Sequence, residues 1–123
     1  MITPRTDLLI DLALEEDAGL GDVTSRGIFP PDHRSKAYIS AGHDLVVCGL
    51  EVAARVFTRV DPGLKVTLTE RDGFRVKQGG KVLNVSGPTA SLLTAERTAL
   101  NFLQRLSGVA TLARKFADAV AGT

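Results

Sequence analysis

A set of polar side chains recurs at helical spacing in the last third of this 123-residue sequence. Arg97, Asn101 and Gln104 are four and then three positions apart, which places them along one side of an α-helix. An arginine guanidinium stays protonated and can hold a carboxylate through two parallel hydrogen bonds. The pattern indicates a polar ridge that could bind an anion, although spacing alone fits a solvated or structural arginine better.

The helix that carries this ridge is predicted to run from about Ala90 to Leu106. Thr89 is a candidate N-cap, and Ser107-Gly108 is the expected exit. Glu96 falls inside the apolar arc of this helix, so we expect an ion pair or hydrogen bonds to satisfy its carboxylate rather than a catalytic role. At 100° per residue, the other members of the arc are Leu92, Ala99, Leu100, Leu103 and Leu106.

The rest of the sequence predicts two more helices and a set of short strands. An amphipathic helix over residues 4–16, with Thr3 as cap, should present Leu8, Leu9, Leu12 and Ala13 as its apolar face. The stretch DAGLGDVTS after it favours an ordered structural loop, with direct ligand contact as the alternative. KAYISA and DLVVCG read as a β-hairpin.

A second helix over residues 50–61 should bury Val52, Ala53, Val56, Phe57 and Val60. KVTLTE and KVLNVSG then supply further strands, with a turn at Asp72-Gly73. Helices and strands are therefore segregated, which indicates an α+β fold in which helices cover a mainly antiparallel sheet.

Charge and composition exclude several classes of protein. The net charge of +1 does not fit a general nucleic-acid or membrane surface, and no apolar run approaches the ~20 residues that cross a bilayer, so we expect a cytoplasmic protein without either partner. The charged residues within 71–115 are mainly basic, eight against two acidic, which would suit an anionic ligand. Cys48 is predicted to be a small buried residue, with a catalytic thiol as the alternative, and His33 and His43 to lie at the surface.

Three segments in order resemble the N-terminal part of the quinolinate phosphoribosyltransferases: EEDAGLGDVTS, DLVVCGLEVAARVF and LLTAERTALNFLQRLSGVAT. The resemblance implies an α/β-hammerhead-like N-terminal domain, here residues 1–106. It also implies that residues 107–123 form a helix leading to a catalytic α/β barrel that is absent from this chain.

The family is a group of glycosyltransferases (pentosyltransferases) of NAD biosynthesis, also called nicotinate-nucleotide pyrophosphorylases (carboxylating). The resemblance implies that quinolinate and phosphoribosyl pyrophosphate react with Mg²⁺ to give nicotinate mononucleotide, pyrophosphate and carbon dioxide. Arg97 corresponds to an arginine that grips a quinolinate carboxylate in the partner subunit's site, which implies a homodimer or higher oligomer. No catalytic residue and no metal site are expected in these 123 residues, so the chain alone is expected to be inactive.

Two other functions remain open from the sequence. One is a related phosphoribosyltransferase-like protein associated with molybdenum transport, which shares much of this pattern. The other is a non-catalytic module that associates with itself through apolar faces left without a barrel, including the face of residues 109–120.

Overall fold

The computed structural model describes residues 2–30 and 32–121, and for residues 18–28 it describes the backbone alone. Within this part of the chain, helices and antiparallel strands form the predicted α+β architecture. In order, the elements are α1 (Pro4–Ile28), β1 (Arg34–Ser40), β2 (Leu45–Val46), α2 (Leu50–Val60), β3 (Lys65–Leu68), β4 (Arg75–Val76), β5 (Lys81–Pro88) and α3 (Thr89–Ala121).

The strands form two small antiparallel sheets, with β5 at the centre of the larger one. That sheet has the order β1-β5-β3, and β2 pairs with β4 in the other. The predicted hairpin of β1 with β2 is therefore wrong. β1 is seven residues long and pairs along its whole length with β5. β2 has only two strand residues, so it could not pair with all of β1. Pairing with β5 satisfies more backbone groups and buries more apolar surface.

Helix α2 provides the centre of the hydrophobic core and confirms the predicted face. Its buried residues are Leu50, Ala53, Val56 and Phe57, and Val52 and Val60 pack partly buried against them. This core is continuous with the inward-facing residues of β5 and the buried side of α3. Helix α2 and helix α3, which carries the candidate ridge, are thus fixed to a single core.

Helix α1 has the opposite orientation to the one predicted. Leu8, Leu9 and Leu12 are 59%, 60% and 54% exposed, whereas Ile10 is fully buried. The reason is a pair of bidentate ion pairs to α2: Asp7 with Arg55, and Asp11 with Arg59, at distances of 2.6–2.9 Å. The two acids are four residues apart on α1, and the two arginines are four residues apart on α2. Two successive turns of one helix can therefore pair with two successive turns of the other.

The α1 ion pairs make the stability of the fold sensitive to acid. Hydrogen bonds from Arg55 and Arg59 hold the pKa of Asp7 and Asp11, respectively, below the ordinary carboxyl range. Such groups stabilise the fold fully above their unfolded pKa of about 3.9, and this stabilisation is lost as the pH falls through the lower folded values. We expect the urea concentration at the unfolding midpoint to decrease when the pH is lowered below about 4. In the D7N/D11N variant this decrease should be smaller. The exposed Asp32→Asn change should leave this acid dependence as it is.

Helix α1 is also longer than predicted. It continues to Ile28, so the predicted helix end near Asp17 is wrong. Thr3 does cap its start: its hydroxyl accepts the backbone N–H of Thr6 at 3.2 Å. The three glycines of this helix, Gly19, Gly21 and Gly27, cost at most about 1 kcal/mol each and do not end it, and the next proline after Pro4 is Pro30. Whether the side chains of residues 18–25 contact a ligand lies outside the described residues.

Helix α3 is continuous over 33 residues, from Thr89 to Ala121. The predicted exit at Ser107-Gly108 is therefore wrong, because both residues lie in the interior of the helix. Ser107 is buried and hydrogen-bonded to the backbone of Cys48, an arrangement that supports the helix where the sequence suggested an end. The division into a domain of residues 1–106 and a leading helix of residues 107–123 stays a prediction.

Candidate functional site

The predicted ridge exists as one surface of α3. Arg97, Asn101 and Gln104 are all exposed, and they line a shallow depression of ≈ 330 Å³ together with Leu93, Glu96 and Leu100. The spacing argument therefore brought the correct three polar residues together. The polar lining is one guanidinium, two amides and the Glu96 carboxylate. The guanidinium and the amides offer several N–H donors to an anion that approaches from outside, on the side away from Glu96.

Glu96 lies at the surface and not in the apolar core, contrary to the prediction. The helical projection averages over the whole helix, whereas the segment of residues 46–48 is hydrogen-bonded to this edge of α3 at Ser107 and Thr111, about three and four turns beyond Glu96. At Glu96 the edge is open and borders the depression. Its carboxylate therefore carries no burial penalty that a partner would have to offset.

Arg97 is available for a ligand within the described part of the chain. The ion pairs found there are Asp7–Arg55, Asp11–Arg59 and Asp118–Arg75, and none of them includes Arg97. An exposed guanidinium in water binds a carboxylate weakly, because solvent and salt screen the attraction. A tight site at Arg97 therefore requires a second surface that excludes water from the depression.

The helical turn that carries Arg97 is held by hydrogen bonds on the buried side of α3. Thr98 is almost completely buried, and its hydroxyl donates to Asp17 Oδ2 of α1 at 2.7 Å. At the start of the same helix, Ser91 donates to Asp61 Oδ2 at 2.7 Å. This hydroxyl and the Gly63 N–H lower the pKa of the Asp61 carboxyl. The backbone beneath the ridge is thus held by directional bonds as well as by packing.

An apolar groove adjoins the depression and was not predicted from the sequence. Its volume is ≈ 370 Å³, and it shares Leu100 and Gln104 with the polar depression. The groove lies between α3 and the segment around β2, with His43 and Lys115 in its lining. The pairing of β2 with α3 could not be read from local pattern, so no sequence signal marked this groove.

The remaining candidates have structural roles or lie at the surface. His33 and His43 are exposed as predicted, and His33 Nδ1 lies 2.7 Å from Thr89 Oγ1 at the start of α3. Cys48 is half-buried and not fully buried. Burial, and secondarily the charge of Asp72, raises the pKa of its thiol, which disfavours the thiolate that catalysis would need.

The described residues contain neither a candidate metal site nor a candidate membrane-spanning helix. Among these residues, no three His, Cys, Asp or Glu side chains gather closely enough to ligate a metal ion. None of the helices in the same part of the chain combines the length and apolar character that a membrane crossing needs.

Comparison with known proteins identifies the family. Residues 22–107 match the family described as quinolinate phosphoribosyl transferase, N-terminal domain. The chain belongs to this family. The matched region contains Arg97, Asn101 and Gln104, and therefore the whole polar ridge.

Individual members of the family are similar to this chain over nearly its whole length. A quinolinate phosphoribosyltransferase [decarboxylating] 1b of Nicotiana tabacum is 45% identical over 119 residues, which are 94% of this chain and 34% of that protein. A chloroplastic nicotinate-nucleotide pyrophosphorylase [carboxylating] of Arabidopsis thaliana is 46% identical over 119 residues, which again are 94% of this chain and 34% of that protein. The solved structure of NadC from Streptococcus pyogenes matches with a TM-score of 0.92 and 36% identity, covering 98% of this chain and 44% of that one.

The quinolinate phosphoribosyltransferase relatives are longer than this chain. The chain spans about a third of the length of the curated relatives it matches, 34% of the Nicotiana tabacum protein. The family membership and the fold therefore apply to this N-terminal unit. What the longer relatives do as whole proteins enters below as a proposal.

Proposed function

We propose that this chain is the N-terminal part of an enzyme that converts quinolinate and phosphoribosyl pyrophosphate to nicotinate mononucleotide, pyrophosphate and carbon dioxide. The observation that carries the proposal is Arg97, which is exposed in a polar depression on the helix that holds the family sequence ERTALN. The names of the relatives support the same substrate, since they are quinolinate phosphoribosyltransferases and nicotinate-nucleotide pyrophosphorylases.

In this proposal Arg97 positions quinolinate and neutralises its charge. A guanidinium stays protonated near neutral pH, so it can serve neither as general acid nor as general base. Two parallel hydrogen bonds to one carboxylate would fix the plane of the pyridine ring and so aim the ring nitrogen at the anomeric carbon of the ribose. Asn101 and Gln104 border the same depression and can donate to the oxygens that Arg97 leaves free.

The site would be completed by a second subunit, because Arg97 needs a surface that excludes water. We infer a homodimer or higher oligomer in which Arg97 of one subunit reaches the quinolinate bound to its partner. Large exposed apolar side chains on α3 support an interface of this kind. Their exposed fractions are 69% for Val109, 70% for Leu112, 72% for Phe116 and 54% for Val120.

Mg²⁺ would accompany phosphoribosyl pyrophosphate and mask the charge of the departing pyrophosphate. The described residues of this chain form no cluster that fits the ion, so no step is assigned to it here. The cytoplasmic location stays a prediction, and among the plant relatives some are described as mitochondrial or chloroplastic.

The proposal is tested by the reaction itself. The native protein that contains this chain should form nicotinate mononucleotide from quinolinate, phosphoribosyl pyrophosphate and Mg²⁺, as measured by chromatography of the nucleotide product. The 123-residue chain alone should form none. A native protein that folds but leaves quinolinate unreacted would contradict the proposal and favour the molybdenum-transport-associated relative. Activity of the short chain would contradict its predicted inactivity.

A non-catalytic, self-associating module is the second candidate, and the same exposed residues of α3 favour it. If it is correct, the isolated chain should form defined dimers whose fraction grows with concentration in static light scattering. The L112D/F116D variant should then be monomeric, because charges replace two of the most exposed apolar side chains. A wild-type chain that stays monomeric at high concentration would contradict the module.

A further inference from the structure

Two hydroxyl groups of α3 bind backbone groups of the extended segment of residues 46–48, which begins at the end of β2, on the edge that does not face β4. Ser107 Oγ accepts the N–H of Cys48 at 3.0 Å and donates to the carbonyl of the same residue at 3.1 Å. Thr111 Oγ1 accepts the N–H of Val46 at 2.9 Å and donates to the Ser107 carbonyl at 2.7 Å. Side chains of the helix thus take the place of a neighbouring strand.

This contact requires a match between two repeats. Residues four apart on an α-helix are separated by about 6 Å along its axis, and residues two apart on a strand by about 6.7 Å. Ser107 and Thr111 therefore meet Cys48 and Val46 in order, with the helix running opposite to the strand. A shift of α3 by one residue would turn it by about 100° and remove both hydroxyls from the strand.

The same bonds fix the direction of the polar ridge. At 100° per residue, Ser107 and Thr111 lie roughly 80° and 40° around the helix from Arg97. Because α3 is continuous from Thr89 to Ala121, a rotation or slide at Ser107 is carried through to Arg97, about 15 Å along the axis. Apolar packing is non-directional, so the rotation of α3 is set more sharply by its hydrogen bonds, those of Ser107 and Thr111 together with the Thr98–Asp17 bond beside Arg97.

We propose that Ser107 and Thr111 are positioning residues for the quinolinate site, acting through the orientation of Arg97. This inference rests on the proposed function for its kinetic consequence. Its structural part, that the two hydroxyls help to set the rotation of α3, stands on the hydrogen bonds alone. In this proposal neither residue touches the substrate.

The test compares Thr111→Val with Thr111→Ser in the native protein. Valine keeps the branched shape but lacks the hydroxyl, whereas serine keeps the hydroxyl. We expect Thr111→Val to raise the KM for quinolinate roughly tenfold with kcat changed by less than about threefold, because a carboxylate contact is displaced and no reacting group is lost. Thr111→Ser should restore the KM to within about twofold of the wild type.

A matched control is Thr58→Val in α2. The Thr58 hydroxyl bonds only to carbonyls of its own helix, at 3.4 Å and 3.2 Å, so this change should leave the KM unaltered. If Thr111→Val and Ser107→Ala both fold and keep the wild-type KM, the inference is overturned. If Thr111→Val does not fold, Ser107→Ala and Thr111→Ser still decide it: KM must rise in the first and stay near wild type in the second.

A second measurement separates this inference from the proposed function. In the 123-residue chain, Thr111→Val should shift the amide NMR resonances of Arg97 and Asn101, which lie roughly four and roughly three turns away along α3, whereas Thr58→Val should not. A native protein that is inactive on quinolinate while these shifts occur would refute the function and leave the positioning role. Unmoved resonances together with an unchanged KM would refute the positioning role alone.

Discussion

Replacing Arg97 with alanine is expected to raise the KM for quinolinate roughly 10- to 100-fold in the native protein. A hydrogen bond to a charged group contributes about 1.5–3 kcal/mol, and each 1.4 kcal/mol corresponds to a factor of ten. Arg97 is exposed in the depression and has no ion-pair partner among the described residues, so its removal should cost binding and not folding. Steady-state kinetics with quinolinate as the varied substrate measures the effect.

The chain offers two matched comparisons for this prediction. Arg105 is an exposed arginine on the same helix but lies outside the depression, so Arg105→Ala should leave the KM within about twofold of the wild type. Arg97→Lys keeps the charge and loses the planar fork, so its KM should fall between those of the wild type and the alanine variant. An Arg97→Ala enzyme with wild-type KM and kcat would remove Arg97 from the quinolinate site.

Local pattern was sufficient where one element decides the outcome. The face of α2 and the ridge at Arg97, Asn101 and Gln104 follow from the helical repeat, and the structure confirms both. Each depends only on residues three or four apart in sequence. The antiparallel α+β architecture likewise follows from the order of the segments.

Pattern failed where a distant partner overrides local preference. The leucines of α1 point outward because Asp7 and Asp11 bind arginines of α2, 48 residues away. The signal was present: two acids four apart and two arginines four apart can pair across two helices. Hydropathy of α1 alone could not reveal it.

Ser107-Gly108 shows the same limit in the candidate site. Locally the pair resembles a helix exit, because serine and glycine are poor helix formers. The hydrogen bonds to Val46 and Cys48 reverse that preference, and they link residues 59 and 65 positions apart. The location of the groove and the orientation of Arg97 both depend on this contact.

Replacing Gly49 with alanine is expected to destabilise the fold by about 2–4 kcal/mol, for two separable reasons. Gly49 has a φ of 92°, in the left-handed region, which costs a residue with a Cβ about 1–2 kcal/mol. A Cβ at this position would also lie 2.6 Å from Leu106 Cδ1, well inside van der Waals contact. The free energy of urea unfolding measures the sum.

Two other glycines serve as controls for the separate contributions. Gly73 has a φ of 91° with nothing within 4 Å of an added Cβ, so Gly73→Ala should cost only the backbone part, about 1–2 kcal/mol. Gly42 has open space and no left-handed φ, so Gly42→Ala should be nearly neutral. If Gly49→Ala costs no more than Gly73→Ala, the contact with Leu106 contributes nothing.

A double-mutant cycle with Leu106→Ala isolates that contact. In the Leu106→Ala background the obstructing Cδ1 is gone and only the Cβ contact at 3.3 Å remains, so Gly49→Ala should cost only slightly more than Gly73→Ala. An equal cost of Gly49→Ala in both backgrounds would show that backbone strain alone is responsible. The result also bears on Arg97, because Gly49 and Leu106 are the chain neighbours of Cys48 and Ser107. A side chain at Gly49 would therefore push α3 away at the turn where its hydroxyls bind the strand.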